Sequence, residues 1–397
     1  MKILFSALGG IYPFVIGGPQ VVAYNLVKQF DRKGIDVDFV FGISKEQFKK
    51  VPDMNTFLEL SENVKLTPLI KNQWLPSSYN MPPDLKFISD SLKLTRKINN
   101  DVDIIHFHYV PDTKDLLLLF LSRLKKIPCI YRSAGWLTYE AYTKANNRSI
   151  YFDYFSYRFL SRYFDGIATN SSYLKRKIML EGINEERIEP IPNGVDVARF
   201  KNAKKIFLPG DPALLFVGRL VPIKGVEVLV RSMNIICKEL PYAVLHLVGD
   251  GPSMNTLTTI VQSNNLQKNV VFHGNITREL PSFYASAHIC IFPSLYEPFG
   301  IINIEAMAAG KPIITTNRGG VSENIKHLEN GLVLEPTEKD IAAGVIKLWN
   351  NKDLMKTMIR NNSKKAKDFD WSKTADRYVD FYQRIIERGC QNRKPLP

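Results

Sequence analysis

A chain of 397 residues, 45% hydrophobic and 23% charged, has the composition of an ordinary globular protein and is long enough for two or three full cores. Its formal charge of +14 divides into +6 over residues 1–200 and +8 over the remainder, so the excess belongs to the whole surface and not to a basic arm. Such a balance suits an anionic substrate or an anionic membrane surface, whereas the absence of zinc-finger spacing, basic-region heptads and RNP-like aromatic motifs argues against nucleic acid. Cys129, Cys237, Cys290 and Cys390 are scattered with no CxxC, as expected in a reducing cytosol. No apolar run approaches bilayer length, the longest candidate being 116–121.

The opening MKILFSALGGIYP lacks the basic region of a secretion signal and reads as a buried strand, 2–7, running into Gly-rich sequence. A helix over 21–30 and a strand over 36–41 follow. Residues 44–83 carry five prolines and little periodicity, which predicts irregular structure with one short strand near 64–66. Beyond them the pattern alternates: helix 84–99, strand 103–109, helix 116–126, strand 128–132, an aromatic-rich helix 151–163, strand 166–169, a helix 171–180 capped by Ser171, and strand 187–191. Asn193-Gly194 marks a turn, and the Lys-rich stretch 200–205 reads as an inter-domain linker. Strands and helices alternate again from 213 to about 367, and a last helix spans 371–388. Two successive alternating halves predict an α/β protein of two doubly wound Rossmann-like domains facing a cleft, 1–200 and 201–370.

The second half holds the chemistry. LLFVGRLVPIKG, 214–225, is a strand ending at Gly218 with Arg219 and Lys224 in the loop beyond; a bidentate guanidinium and a point charge at a strand's carboxyl end suit a diphosphate. LHLVGDGP, 245–252, ends a strand in a Gly249-Asp250-Gly251 turn that lets a ring approach the backbone. The stretch from 289 to 316, ICIFPSLYEPFGIINIEAMAAGKPIITT, is a βαβ unit: strand 289–293, a loop carrying Glu297, a helix from Gly300 to Ala309 carrying Glu305, and a strand 311–316. Ligands of open parallel sheets collect at the strands' carboxyl ends, where helix amino termini offer free N–H groups to an anion. Two carboxylates beside that anion site want hydroxyls, and a nucleotide-sugar supplies both.

Glu297, seven intervening residues and Glu305, with Phe299-Gly300 and Ala306-Met307-Ala308 around them, resemble the signature of the retaining glycosyltransferases of group 1, family 4, which are close to the glycogen synthases and have the GT-B fold. The PNGVD phrase at 192–196 matches the hinge of that family, Gly17-Gly18 its first Gly-rich loop, and Arg219 with Lys224 its diphosphate clamp. By this resemblance Glu297 contacts hydroxyls of the transferred sugar, Glu305 holds the ribose diol, and the backbone at Phe299, Gly300 and Ile301 meets the phosphates. His273 and Ile276, in VVFHGNI, line the base, as does the Gly249 turn, and segment 371–397 packs back on the first domain. The resemblance implies an NDP-sugar as co-substrate, no cofactor and no tightly bound metal, a saccharide or lipid-linked acceptor, and a place in envelope or exopolysaccharide assembly, cytoplasmic or peripheral on the inner face of the membrane. A nucleotide-sugar epimerase of the same fold, or a catalytically silent nucleotide-sugar-binding protein, is the alternative.

One departure stands out. Where the family carries a histidine in a phrase such as TVHG, this chain reads YRSAG, 131–135, placing Ala134 at that position; Arg132 or His108 then becomes the candidate to assist at the reacting centre. His106 and His108 share one strand face and lack a third ligand for a metal. The DxD strings at 36–38, 101–103 and 368–370 read as solvated or capping residues, not as the metal site of a GT-A transferase. GGVSENI, 319–325, reads as a loop before a helix capped by Ser322, with Glu323 near the nucleotide. Basic clusters at 93–97, 123–126 and 175–177 would suit anionic lipid.

Overall fold

The computed structural model describes residues 1–7, 13, 18–51, 53–71, 101–108, 116–134 and 159–391. Gly17, the expected helix 84–99 with its basic run, Gly135 and most of the expected helix 151–163 lie outside them. The chain divides into two compact units, Met1–Pro192 with Thr374–Pro397, and Asn193–Lys373.

The first unit contains β1 (Lys2–Ala7), α1 (Gly18–Arg32), β2 (Asp36–Ser44), α2 (Lys45–Lys49), α3 (Met54–Phe57), β3 (Val64–Lys71), β4 (Ile104–Phe107), α4 (Leu116–Leu124), β5 (Cys129–Ser133), β6 (Gly166–Thr169), α5 (Ser172–Leu180) and β7 (Ile188–Pro190). Its seven strands form one sheet in the order β3-β2-β1-β4-β5-β6-β7, every neighbouring pair parallel. Central strands covered on both faces need continuous apolar runs, and β4 and β5 are buried at every position. Ser171 caps α5 by accepting from the Leu174 N–H at 3.2 Å.

Two readings of this unit change. β3 runs for eight residues through Pro68, because it is the sheet's edge and proline withholds its missing donor from no partner there. Within the stretch expected to be irregular, α2 is closed by a capping box between Ser44 and Gln47, and α3 by Asp53.

The second unit contains α6 (Val197–Lys201), β8 (Ala213–Val217), α7 (Val226–Glu239), β9 (Val244–Val248), α8 (Met254–Ser263), β10 (Val270–Gly274), α9 (Leu280–Ser286), β11 (Ile289–Phe292), α10 (Ile301–Ala308), β12 (Ile313–Thr316), β13 (Leu332–Leu334), α11 (Glu338–Asn350) and α12 (Lys352–Lys365). Its six-stranded parallel sheet is ordered β10-β9-β8-β11-β12-β13. The chain moves outward from β8 through β9 to β10, then returns to place β11 on the other flank of β8. The β8/β11 boundary is therefore the topological switch point of the sheet, the place where open α/β sheets take their ligands.

The boundary between the units falls at 192/193, not at 200. Asp196 caps α6 through the Arg199 N–H, and Phe200 buries its ring against Tyr284 of α9, so the polar stretch read as a linker begins as a helix of the second unit. α13 (Trp371–Gln391) starts in the second unit and from Thr374 onward belongs to the first. There Phe381 and Ile385 press on Gly166, which has no room for a Cβ, and Asp376 pairs with Lys33 at 2.6 Å. Among the described residues no helix is long and apolar enough to cross a membrane.

Candidate functional site

The loops leaving β8 and β11 meet at the switch point. After β8 the chain passes Gly218 and Arg219, makes a 3-10 turn over Pro222–Lys224, and enters α7 at Gly225 in the left-handed region (φ 66°). A Cβ at Gly225 would lie 2.0 Å from the Pro293 carbonyl oxygen, so only glycine lets this loop close on the one after β11. The Leu295 N–H donates to the Ile223 carbonyl at 2.8 Å and fastens the two loops together.

That closure brings Lys224 onto Glu297. The Lys224 ammonium donates to Glu297 Oε2 at 2.5 Å, with both side chains mostly buried, at 19% and 13% exposure. Glu297 Oε1 accepts from the Gly300 N–H at 3.1 Å, and its backbone is pinned to the third loop, where Arg318 accepts from its N–H and Gly320 donates to its carbonyl. α10 begins at Gly300, also left-handed (φ 83°), with no side-chain cap. The N–H groups of Ile301 and Ile302 consequently have no protein acceptor among the described residues, the arrangement that receives an anion at a helix start. Arg219 is exposed in the same loop as Lys224 and forms no ion pair among the described residues. Phe299 is buried with its ring edge-on to Phe369, so its side chain belongs to the core.

Glu305 lies one turn into α10. Tyr284 of α9, fully buried, donates to Glu305 Oε2 at 2.9 Å. Burial pushes the Glu305 carboxyl up to about 7, against the opposing pull of that hydrogen bond and of the Arg199 charge. Burial also holds the Tyr284 hydroxyl well above its usual range, so it remains a donor.

The third wall is a turn. A Cβ at Gly249 would sit 1.9 Å from the Gly218 carbonyl oxygen and one at Gly251 2.4 Å from that of Leu220; these glycines let the β8 and β9 loops pack backbone to backbone. His273 is turned sideways into the unit. The His246 Nε2–H donates to the Pro209 carbonyl at 2.8 Å, which leaves His246 Nδ1 as the acceptor for the His273 Nε2–H at 2.9 Å, and the His273 ring stands against Phe283. Ile276 is partly buried against the same core. Gly320 opens a 3-10 turn over Val321–Glu323 where a helix capped by Ser322 was expected; Ser322 caps nothing.

The first-unit candidates are placed differently. Gly18 is exposed at the start of α1. His108 and Arg132 are 1% and 2% exposed, and His106 is fully buried, so the three form a buried cluster. The His108 Nε2–H donates to the Pro19 carbonyl at 2.9 Å; His106 Nδ1 meets the Tyr382 hydroxyl at 2.5 Å; Arg132 hydrogen-bonds Tyr378. Burial, reinforced by the Arg132 charge, holds both imidazoles well below their usual range and neutral. α13 supplies both tyrosines, and no local pattern around residue 106 announces a cover that arrives 270 residues later. Of the DxD carboxylates, expected to be solvated or capping, Asp38 and Asp101 instead pair with Lys2 and Asp368 with Lys373, while Asp370 accepts from the Ser372 N–H. Among the described residues no cluster of three metal-ligating side chains forms.

Solved structures of glycosyltransferases align along nearly the whole chain. Sucrose-phosphate synthase from Thermosynechococcus elongatus superimposes with a TM-score of 0.78 at 22% identity, covering 98% of this chain and 99% of its own. HepE from Anabaena, solved in complex with UDP, gives 0.74 at 19% identity over 97% and 100%. In sequence, an uncharacterised glycosyltransferase of Methanocaldococcus jannaschii is 28% identical over 98% of this chain and 99% of its own. The model of the glycosyl transferases group 1 matches residues 198–365, and that of glycosyltransferase family 4 matches 16–199. The chain belongs to this group 1, family 4 class of glycosyltransferases.

Proposed function

We propose that the protein is a retaining transferase that moves a sugar from a nucleoside diphosphate sugar to a hydroxyl of a saccharide or lipid-linked acceptor, in envelope or exopolysaccharide assembly. The observation that carries this reading is the joined Lys224–Glu297 pair beside the uncapped start of α10. Joined in this way, the two charges neutralise each other. A donor resolves them: its diphosphate takes Lys224, Arg219 and the N–H groups of Ile301 and Ile302, and its sugar hydroxyls take Glu297. As the anomeric C–O bond breaks, the diphosphate departs with the electron pair, and the cations stabilise charge that develops only then. The acceptor oxygen bonds to the anomeric carbon and gives up its proton to the departing diphosphate oxygen. In this reading Arg219 and Lys224 supply the positive charge, and no resident metal or cofactor is called for. The bound UDP in the related HepE structure supports a nucleotide donor, and the surplus of lysine and arginine supports work at an anionic membrane surface.

The test is a panel of nucleotide-sugars screened for thermal stabilisation, followed by transfer assays with the best donor. Stabilisation by one donor, and loss of transfer in Glu297→Ala and Lys224→Ala with melting temperatures kept, is expected. Donor epimerisation without any transferred sugar would favour an epimerase; near-normal turnover in either variant would refute the site.

A further inference from the structure

We propose that Tyr284 is a positioning residue of the donor site: its hydroxyl fixes one oxygen of Glu305 so that the other is presented to a ribose diol. This rests on the donor-site reading above and adds to it a residue outside the loops that carry the charges.

Tyr284 comes from α9 and Glu305 from α10. The tyrosine ring is fully buried and packs edge-on against Phe200 of α6, with centroids 5.4 Å apart, so it has no freedom to follow a moving carboxylate. Its single proton has two acceptors in reach, Glu305 Oε2 at 2.9 Å and the Ile302 carbonyl at 3.4 Å. The shorter, charge-assisted bond is the stronger. Glu305 Oε1 takes no hydrogen bond from the protein among the described residues. One oxygen is anchored and the other keeps its hydrogen-bonding capacity.

A glutamate has three side-chain torsions, and a ligand that must order them loses affinity. Anchoring Oε2 removes that cost before the ligand arrives. The same bond favours the charged carboxylate in a setting where burial favours the protonated one, and a diol donates to the charged form. Arg199 of α6 is the other charge that acts on this carboxylate, and it acts in the same direction.

Calorimetric titration of the full chain with UDP and GDP, and with the 2′-deoxy form of whichever binds more tightly, separates the outcomes. Wild type is expected to prefer the ribose form by roughly tenfold, the strength of a hydrogen bond to a charged group. Tyr284→Phe keeps the ring and removes the hydroxyl; it is expected to weaken the ribose form by about that factor, to leave the deoxy form nearly unchanged, and so to erase the preference. Glu305→Gln should lower the preference on its own, and adding Tyr284→Phe to it should change nothing more. A preference in Tyr284→Phe equal to wild type overturns the inference, as does an equal loss for both ligands, which would mark a merely structural tyrosine. Should Tyr284→Phe not fold, a Glu305→Gln protein that keeps the full preference overturns it instead. If wild type binds neither diphosphate, the donor-site reading itself is wrong and the inference goes with it; binding without a ribose preference sinks the inference alone.

Discussion

The two sheets end in opposite ways. In the first unit Ser6, His106, His108 and Arg132 gather toward the carboxyl ends of β1, β4 and β5, and the protein's own side chains fill the space: Tyr378 and Tyr382 of α13 close over them and the histidines stay neutral. In the second unit the loops after β8 and β11 bring a lysine and a glutamate together, mostly buried, and leave a helix start uncapped. One doubly wound plan thus buries a polar cluster beside a long helix in one place and leaves a helix start without a side-chain cap in the other.

The largest test of that contrast is Lys224→Ala. If the second sheet end is the working one, transfer should drop by about 10²- to 10³-fold, the usual cost of removing one preorganised charge from a transition state, while the melting temperature holds; steady-state assays with the best donor measure it. A smaller effect concerns Glu305. Its folded carboxyl titrates near 7 and its ordinary value is 4.5, so the folded state holds an extra proton between the two. Its relative stability is therefore full below about pH 4.5 and falls as pH rises through 7. Glu305→Gln should flatten this slope, gaining up to about 3 kcal/mol on wild type at pH 8 relative to pH 4.5, the worth of the pKa gap; urea unfolding at the two pH values measures it.

On the interior side, Tyr382→Phe removes the partner of a buried imidazole nitrogen. Unfolding free energy should drop by about 1–3 kcal/mol with nucleotide affinity unchanged; a change in affinity would mean that the first cluster is part of a site after all. The smallest effect is expected at Asn303, buried in the first turn of α10 with neither amide atom hydrogen-bonded. Replacing it with Leu, a near isostere, should stabilise the chain by about 1 kcal/mol, read from the same unfolding curves. A loss of donor binding instead would move Asn303 from packing into the site.

The second sheet end was legible because local sequence makes it. Apolar strands stop at Gly218 and Pro293, and Lys224, Glu297 and Gly300 all sit within eight residues of a strand end. The burial of the first had no local signal: a two-residue period puts His106 and His108 on one face but says nothing of what covers that face. β3 was cut short because Pro68 reads as a breaker, and only the sheet order shows that it stands on an edge. The end of α6 passed for linker because Lys201, Lys204 and Lys205 outnumber the one buried ring of the stretch 200–205, Phe200. Tyr284 gave no signal at all, since a tyrosine in an apolar helix stripe reads as packing until its hydroxyl is seen to meet Glu305.

The most direct measurement of the central claim is the affinity of the preferred nucleoside diphosphate for wild type, Lys224→Ala and Glu297→Ala. If the charges at the β8 and β11 loops divide the donor between them, Lys224→Ala should bind the sugar-free diphosphate at least tenfold more weakly. Glu297→Ala should bind it as well as wild type, or better for the released lysine, yet transfer no sugar. Wild-type affinity in Lys224→Ala would contradict the account.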